Sequence, residues 1–203
     1  MSRALKQAIE CAAPGDIVFV STDSLEIKQE AEKLGVKIPF LRSPETSSDT
    51  ASTYSAILET LQNFKLIGTE FEKVVLLQPT SPFRTLSDIH GTLALWSPQV
   101  DMAVSVCEAK ANPYYNLFET DADGFLKISK GSGKFSRRQD LPKVWEYNGA
   151  VYVMTVDALL KSPMSEFKKI IPYEMPRRRS LDLDTPEDWI LAETLWLIQN
   201  PKL

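Results

Sequence analysis

Short apolar runs alternate with stretches of helical periodicity along most of this chain, and that alternation restricts the fold more than any other feature. Residues 17–20 read Ile-Val-Phe-Val, 74–77 Val-Val-Leu-Leu and 102–106 Met-Ala-Val-Ser-Val. Runs of this length and β-branched content suit strands covered on both faces. Residues 36–40 form a fourth such run. Between them, 25–34, 52–64 and 87–96 carry apolar residues at helical spacing, and Gly35 ends the first of these helices. Strands separated by helices require crossover connections, so the expected class is α/β, with a mainly parallel sheet and helices on both faces. A helix over 3–12, stopped by Pro14-Gly15, should precede the first strand.

The alternation lapses over about 109–147, where Pro, Tyr and Gly punctuate the apolar patches Leu117-Phe118 and Phe125-Leu126. This segment reads as an antiparallel arm and an oligomer contact. Regular elements resume with a strand at 150–155, a short helix at 156–160 and a strand at 169–172. The final helix carries the clearest local signal: Thr185 as N-cap, Pro186 at the first helical position and Asp188 three residues after the cap. With 203 residues, 43% of them hydrophobic, one domain over 1–203 is expected.

Composition narrows the function. A net charge of -4 and no long Lys/Arg stripe give no footprint for nucleic acid or an anionic membrane. A small-molecule substrate is the better expectation. Cys11 and Cys107 are too far apart to mark a zinc site or a disulfide framework, and no apolar run approaches the roughly 20 residues that span a bilayer. The expected setting is the reducing cytoplasm.

Four constellations could carry chemistry. In Asp182-Leu183-Asp184, an extended backbone turns both carboxylates to one side, which suits Mg2+ bound with phosphate oxygens; the same spacing also fits Asp184 as a helix cap and Asp182 as a solvated side chain. Gln78-Pro79-Thr80-Ser81-Pro82-Phe83-Arg84 follows a buried strand, where open α/β sheets bind ligands, or is a stiff turn. Arg42 and the hydroxyl-rich residues 47–53 could face a base or phosphate, or simply cap a helix. Arg137-Arg138 could clamp a carboxylate or form a solvated basic turn. The glycines near Lys130 and Lys134 have the wrong spacing for a phosphate loop. His90, the single histidine, has no second histidine or cysteine to join it.

Together these segments resemble the acylneuraminate cytidylyltransferases, the CMP-sialic acid synthetases, with the CMP-Kdo synthetases more distant. The resemblance rests on STD at 21–23, PFLR at 39–42, SDTAS at 48–52, LLQPTSPFR at 76–84, RRQDLPKVWEYNGAVYV at 137–153 and SLDLDTPEDW at 180–189. It implies a Rossmann-like nucleotidyltransferase fold, a homodimer with the arm reaching the other subunit's sugar site, and a reaction joining CTP to a nine-carbon 2-keto sugar acid to give CMP-sugar and pyrophosphate. By the same resemblance Arg42, Ala51 and Thr53 contact cytidine, Gln78 contacts the sugar, and Arg138, Asn148 and Tyr152 lie near the sugar or its carboxylate. Asp182 and Asp184 are the implied catalytic magnesium carboxylates.

Family members open with a strand and a loop of the kind Ile-Pro-Ala-Arg-Gly-Gly-Ser-Lys that holds the triphosphate, and this sequence starts beyond it. The expectation is an N-terminally truncated relative with one strand fewer and an exposed apolar edge. Two other readings follow: a non-catalytic relative that binds nucleotide, sugar or a partner, and a metal-dependent glycosyltransferase in which Asp182 and Asp184 hold the metal of a nucleotide-sugar donor. The Gln78 loop and the 137–152 block weigh against the last.

Overall fold

A computed structural model describes residues 2–48, 50–135 and 137–199. Asp49 and Ser136, which fall within two of the hydroxyl-rich and basic segments above, lie outside the described residues, as does the extreme C-terminus.

Four strands form the central sheet in the order β1-β5-β2-β6: β1 (Lys73–Leu77), β2 (Met102–Glu108), β5 (Trp145–Thr155) and β6 (Ile170–Glu174). β5 runs antiparallel to both β1 and β2, whereas β2 and β6 are parallel. Thus β1, β2 and β6 all point one way, and the insertion of β5 between β1 and β2 makes the sheet mixed. The α/β class holds. Three of the four strands share the expected parallel direction, and β5 is the antiparallel exception, because the apolar run that becomes β5 reads the same in either direction.

Helices cover both faces. On one, α4 (Thr53–Leu66) and α6 (Val156–Leu159) pack against Met102, Val104, Val106 and Met154. On the other, α1 (Ser2–Cys11) and α5 (Leu86–Ala94) meet Ala103, Val151 and Val153, with Ile89 fully buried. β2 is buried along nearly its whole length, as its unbroken apolar run requires when both faces are covered.

Two expected strands are absent. Residues 17–20 and 36–40 are not assigned to any ladder. Side-chain packing holds them instead: Val36, Ile38 and Ala31 bury against Val18, Phe19 and Val20, and Phe19, Phe40 and Phe64 form an aromatic trio with centroids 4.8 to 5.3 Å apart. Apolarity secured their burial, but a strand also needs a neighbouring backbone to bond. β1 is a sheet edge, with Val75 37% exposed.

The arm contains the antiparallel hairpin β3 (Phe118–Thr120) and β4 (Leu126–Ile128). Its turn is closed by Asp121, whose Oδ1 accepts from the amides of Asp123 and Phe125, and by Gly124 at φ +86°. Leu117, Phe118, Phe125 and Leu126 are exposed. The remaining helices are α2 (Leu25–Lys33), the short α3 (Pro44–Ser47), which has no counterpart in the sequence reading, and α7 (Pro186–Gln199). Among the described residues no helix is long and apolar enough to cross a membrane. Both cysteines are free, and burial pushes their thiols above the usual range.

Candidate active site

The carboxyl ends of β1, β2 and β6 lie at one edge of the sheet, together with the start of β5, and the polar segments collect there. Gln78 follows β1 directly. Met175 to Asp184 follow β6. Asn148 and Gly149 belong to β5 where its register with β2 slips: Val104 pairs with Tyr152 but Val106 with Tyr147. One residue of β2, Ser105, therefore faces four of β5, and the surplus forms a bulge.

Ser105 pins that bulge. Its buried hydroxyl donates to Asn148 Oδ1 at 2.7 Å and accepts from the Val151 amide at 2.8 Å. Asn148 is equally committed to protein: Oδ1 also accepts from the Ala150 amide, while Nδ2 donates to Ser180 Oγ at 2.9 Å and Met175 Sδ at 3.3 Å. At 4% exposure its amide has its bonding positions filled, so Asn148 holds the bulge rather than offering a free group to a sugar. Ser105 escaped the sequence reading. The available signal was a lone hydroxyl inside an otherwise apolar buried strand.

Gly149 is where the site closes. Its φ of +70° lies in the left-handed region. A methyl built there would stand 2.5 Å from Asp182 Oδ2 and 2.8 Å from Gln78 Oε1. The missing side chain is thus the space into which Asp182 and Gln78 converge. The Leu183 amide donates to the Thr80 carbonyl at 3.0 Å, fastening one segment to the other. Tyr152, half-buried on β5, stacks edge-on against Tyr147 at 6.0 Å. Burial first, and then the nearby negative charge of Asp182, raise its phenol above the ordinary range.

Arg84 supports this arrangement from beneath. The guanidinium, 1% exposed, donates to the carbonyls of Gln78 at 3.1 Å and Ala150 at 2.5 Å and to Gln7 Oε1 at 3.3 Å. Burial, reinforced by the like charge of Arg3, pushes its pKa down to about 10, so it stays charged at neutral pH. Arg84→Met would remove a costly buried cation but strand two carbonyls. The second effect wins because each unpaired buried acceptor costs roughly 1–3 kcal/mol. A net loss of about 2 kcal/mol is expected in chemical denaturation, and unchanged stability would refute the strut role.

Thr185 caps α7, exchanging hydrogen bonds with Asp188 in a reciprocal box: the Thr185 amide to Asp188 Oδ2 at 2.8 Å and the Asp188 amide to Thr185 Oγ1 at 3.3 Å. Asp184 contributes its backbone amide to Asp188, and its side chain is exposed. Capping of α7 is therefore carried by Thr185 and Asp188. Among the described residues no group of three or more His, Cys, Asp or Glu gathers for a metal. The hard oxygens of Asp182 and Asp184 fit Mg2+ in kind, with the remaining positions open to phosphate and water.

The other expected residues fall into two separate groups. Arg42 and Ala51 sit in the segment between residues 36–40 and α4, and Thr53 opens α4. Arg42 Nη2 lies 3.9 Å from Asp23 Oδ1, its amide donates to the Thr22 carbonyl, and its Nε is buried without a hydrogen-bond partner. Ser52 acts as N-cap of α4, which leaves Thr53 exposed in the first turn. Arg138 is exposed in the arm, lining a cavity of about 470 Å³ with Asn112, Tyr115, Glu174 and Arg177. Met175, which also lines that cavity, accepts from Asn148 and so joins it to the Gly149 site. His90 is exposed on α5.

Asp182, the Gln78 loop and a glycine-made gap thus lie at the carboxyl ends of an α/β sheet, where such sheets bind ligands. The chain belongs to the cytidylyltransferase family, whose model matches residues 1–175. It is 32% identical over 175 residues to N-acylneuraminate cytidylyltransferase of Streptococcus agalactiae, covering 85% of this chain and 41% of that protein. It is 31% identical to post-translational flagellin modification protein B of Campylobacter coli (88% and 76% covered) and 28% identical to CMP-N,N'-diacetyllegionaminic acid synthase of Legionella pneumophila (92% and 80%). The chain thus spans about two-fifths of the length of the streptococcal relative. Among solved structures the fold is similar to that of a CMP:2-keto-3-deoxy-manno-octonic acid synthetase complexed with CTP, at TM-score 0.63 and 16% identity, covering 98% of this chain and 87% of that one. The family match stops at Met175, and Asp182 enters the site through its approach to Gly149.

Proposed function

We propose that this chain works as a cytidylyltransferase on a nine-carbon 2-keto sugar acid, forming CMP-sugar and pyrophosphate from CTP. The observation that carries the reading is the convergence of Asp182 and Gln78 on the gap over Gly149. Two acceptor oxygens there suit a cation on one side and a hydroxyl-bearing ligand on the other. The names of the relatives, which pair cytidylyl transfer with acylneuraminic and legionaminic acids, support the same substrate class.

In this reading the anomeric hydroxyl oxygen attacks the α-phosphorus, a new O–P bond forms, the bond to the bridging β-phosphate oxygen breaks and pyrophosphate departs with that electron pair. The hydroxyl proton passes to solvent. Asp182 and Asp184 would hold Mg2+, which when bound neutralises charge on the phosphate oxygens. Arg42, with its unpartnered Nε, faces the nucleotide together with Ala51 and Thr53. Gln78 orients the sugar, and Arg138 in the adjoining cavity offers a guanidinium to its carboxylate. Rate comes from positioning, which the Arg84 and Ser105 struts supply. A homodimer joined through the exposed arm and a cytoplasmic setting complete the proposal.

The test is pyrophosphate release by the protein with CTP, Mg2+ and N-acetylneuraminate, then with legionaminic-type and other sugar acids, and with ATP in place of CTP. Release that needs both CTP and a sugar acid is the expected result. Equal release with ATP, or without any sugar acid, would overturn the assignment.

A further inference from the structure

Arg179 and Asp88 form an ion pair outside the groups assigned so far. Arg179 Nε and Nη2 donate to the two oxygens of Asp88 at 3.0 and 2.8 Å, across 91 positions of sequence. Asp88 is fully buried at the start of α5, just beyond the Gln78 loop. Arg179 ends the short turn (Arg177–Arg179) three residues before Asp182. The Leu183 amide binds the Thr80 carbonyl. The segment bearing Asp182 is therefore held on both sides, to α5 by Arg179 before it and to the Gln78 loop by Leu183 after it.

We propose that Arg179, anchored bidentately on Asp88, is a positioning residue that sets Asp182 against Gln78 and Gly149, and so sets the metal and nucleotide affinity of the site. The inference rests on reading Asp182 and Asp184 as metal ligands. A purely architectural role fits less well, because Asp88 does not depend on Arg179 alone for its hydrogen bonds. The carboxylate also accepts from the Thr85 amide at 2.9 Å and the Thr85 hydroxyl at 2.6 Å, closing a capping box on α5, and the helix N-terminus favours its charge. Burial by itself would raise the Asp88 carboxyl, yet the bonds from Arg179 and Thr85 outweigh it and hold the group below its ordinary range. Loss of Arg179 thus leaves α5 capped while freeing one end of the segment that carries Asp182.

Arg179→Gln tests this in two readouts. Without ligand, hydrogen exchange at the Leu183 amide is expected to quicken roughly tenfold while β5 amides keep their protection. With CTP, the Mn2+ concentration that half-saturates nucleotide binding is expected to rise roughly tenfold, the usual scale for losing an outer partner of a metal ligand, with the sugar KM within about twofold. Arg179→Lys, which retains one charged contact, should recover part of both and serves if the Gln variant folds poorly. Unchanged exchange at Leu183 overturns the proposal, and so does a general rise across α5 and β5, which would mark Arg179 as a structural support only. Failure of the unsubstituted protein to bind CTP with Mn2+ would sink the metal reading, while the exchange result still decides whether Arg179 positions Asp182.

Discussion

Gly149→Ala is expected to lower kcat/KM for CMP-sugar formation by on the order of 100-fold, because displacing reacting groups by about 1 Å carries that cost. The methyl would meet Asp182 Oδ2 at 2.5 Å and Gln78 Oε1 at 2.8 Å, so both groups must retreat from the site they define. The backbone adds to the strain, since an L-residue at φ +70° costs about 1–2 kcal/mol. That penalty is modest beside a typical folding stability of roughly 5–15 kcal/mol. The variant should therefore fold, melt a few degrees lower and turn over poorly. Steady-state kinetics beside a thermal melt separates the two effects, and near-normal turnover would show that the convergence over Gly149 is not the reacting geometry.

Asp184→Asn should abolish Mg2+-dependent CTP binding, a loss on the order of 100-fold in affinity, since the variant keeps the shape of the side chain and removes only its charge. Stability should hold within about 0.5 kcal/mol, because the side chain is exposed and takes no part in the α7 cap. Titration calorimetry with and without Mg2+ reads the first effect and denaturant unfolding the second. Unchanged binding would remove Asp184 from the metal site. Loss of binding together with loss of fold would assign the residue to architecture.

Local chemistry was the most legible part of this chain. Thr185, Pro186 and Asp188 announce the start of α7, and the reciprocal bonds between Thr185 and Asp188 are present, because a capping box joins residues three apart and needs nothing from the rest of the fold. The two-sided burial of β2 was equally plain, for an unbroken apolar run has few other places to go. That Gln78 and Asp182 belong to one site was an implication of the family resemblance. Its cause, the gap over Gly149, was not.

What the sequence could not disclose depends on contacts that close long loops. Residues 17–20 and 36–40 look like strands by composition, yet strand formation requires a partner backbone at the right distance, which composition cannot supply. Ser105 meets Asn148 across 43 positions, Arg84 meets Ala150 across 66, and Arg179 meets Asp88 across 91. Each pair is one among many polar combinations that the sequence permits equally.

By itself, then, the sequence determined the α/β class, the helix boundaries set by Gly, Pro and capping residues, and the chemical types available at the strand ends. Those follow from interactions within a turn or two of chain. Only the tertiary structure decided that β5 enters antiparallel between β1 and β2, that Asn148 turns inward to hold a bulge, and that Gly149 leaves room for Asp182 and Gln78 to meet. The physical reason is that register and close approach depend on how three covered layers pack against one another, and that packing is shared among residues far apart in the chain.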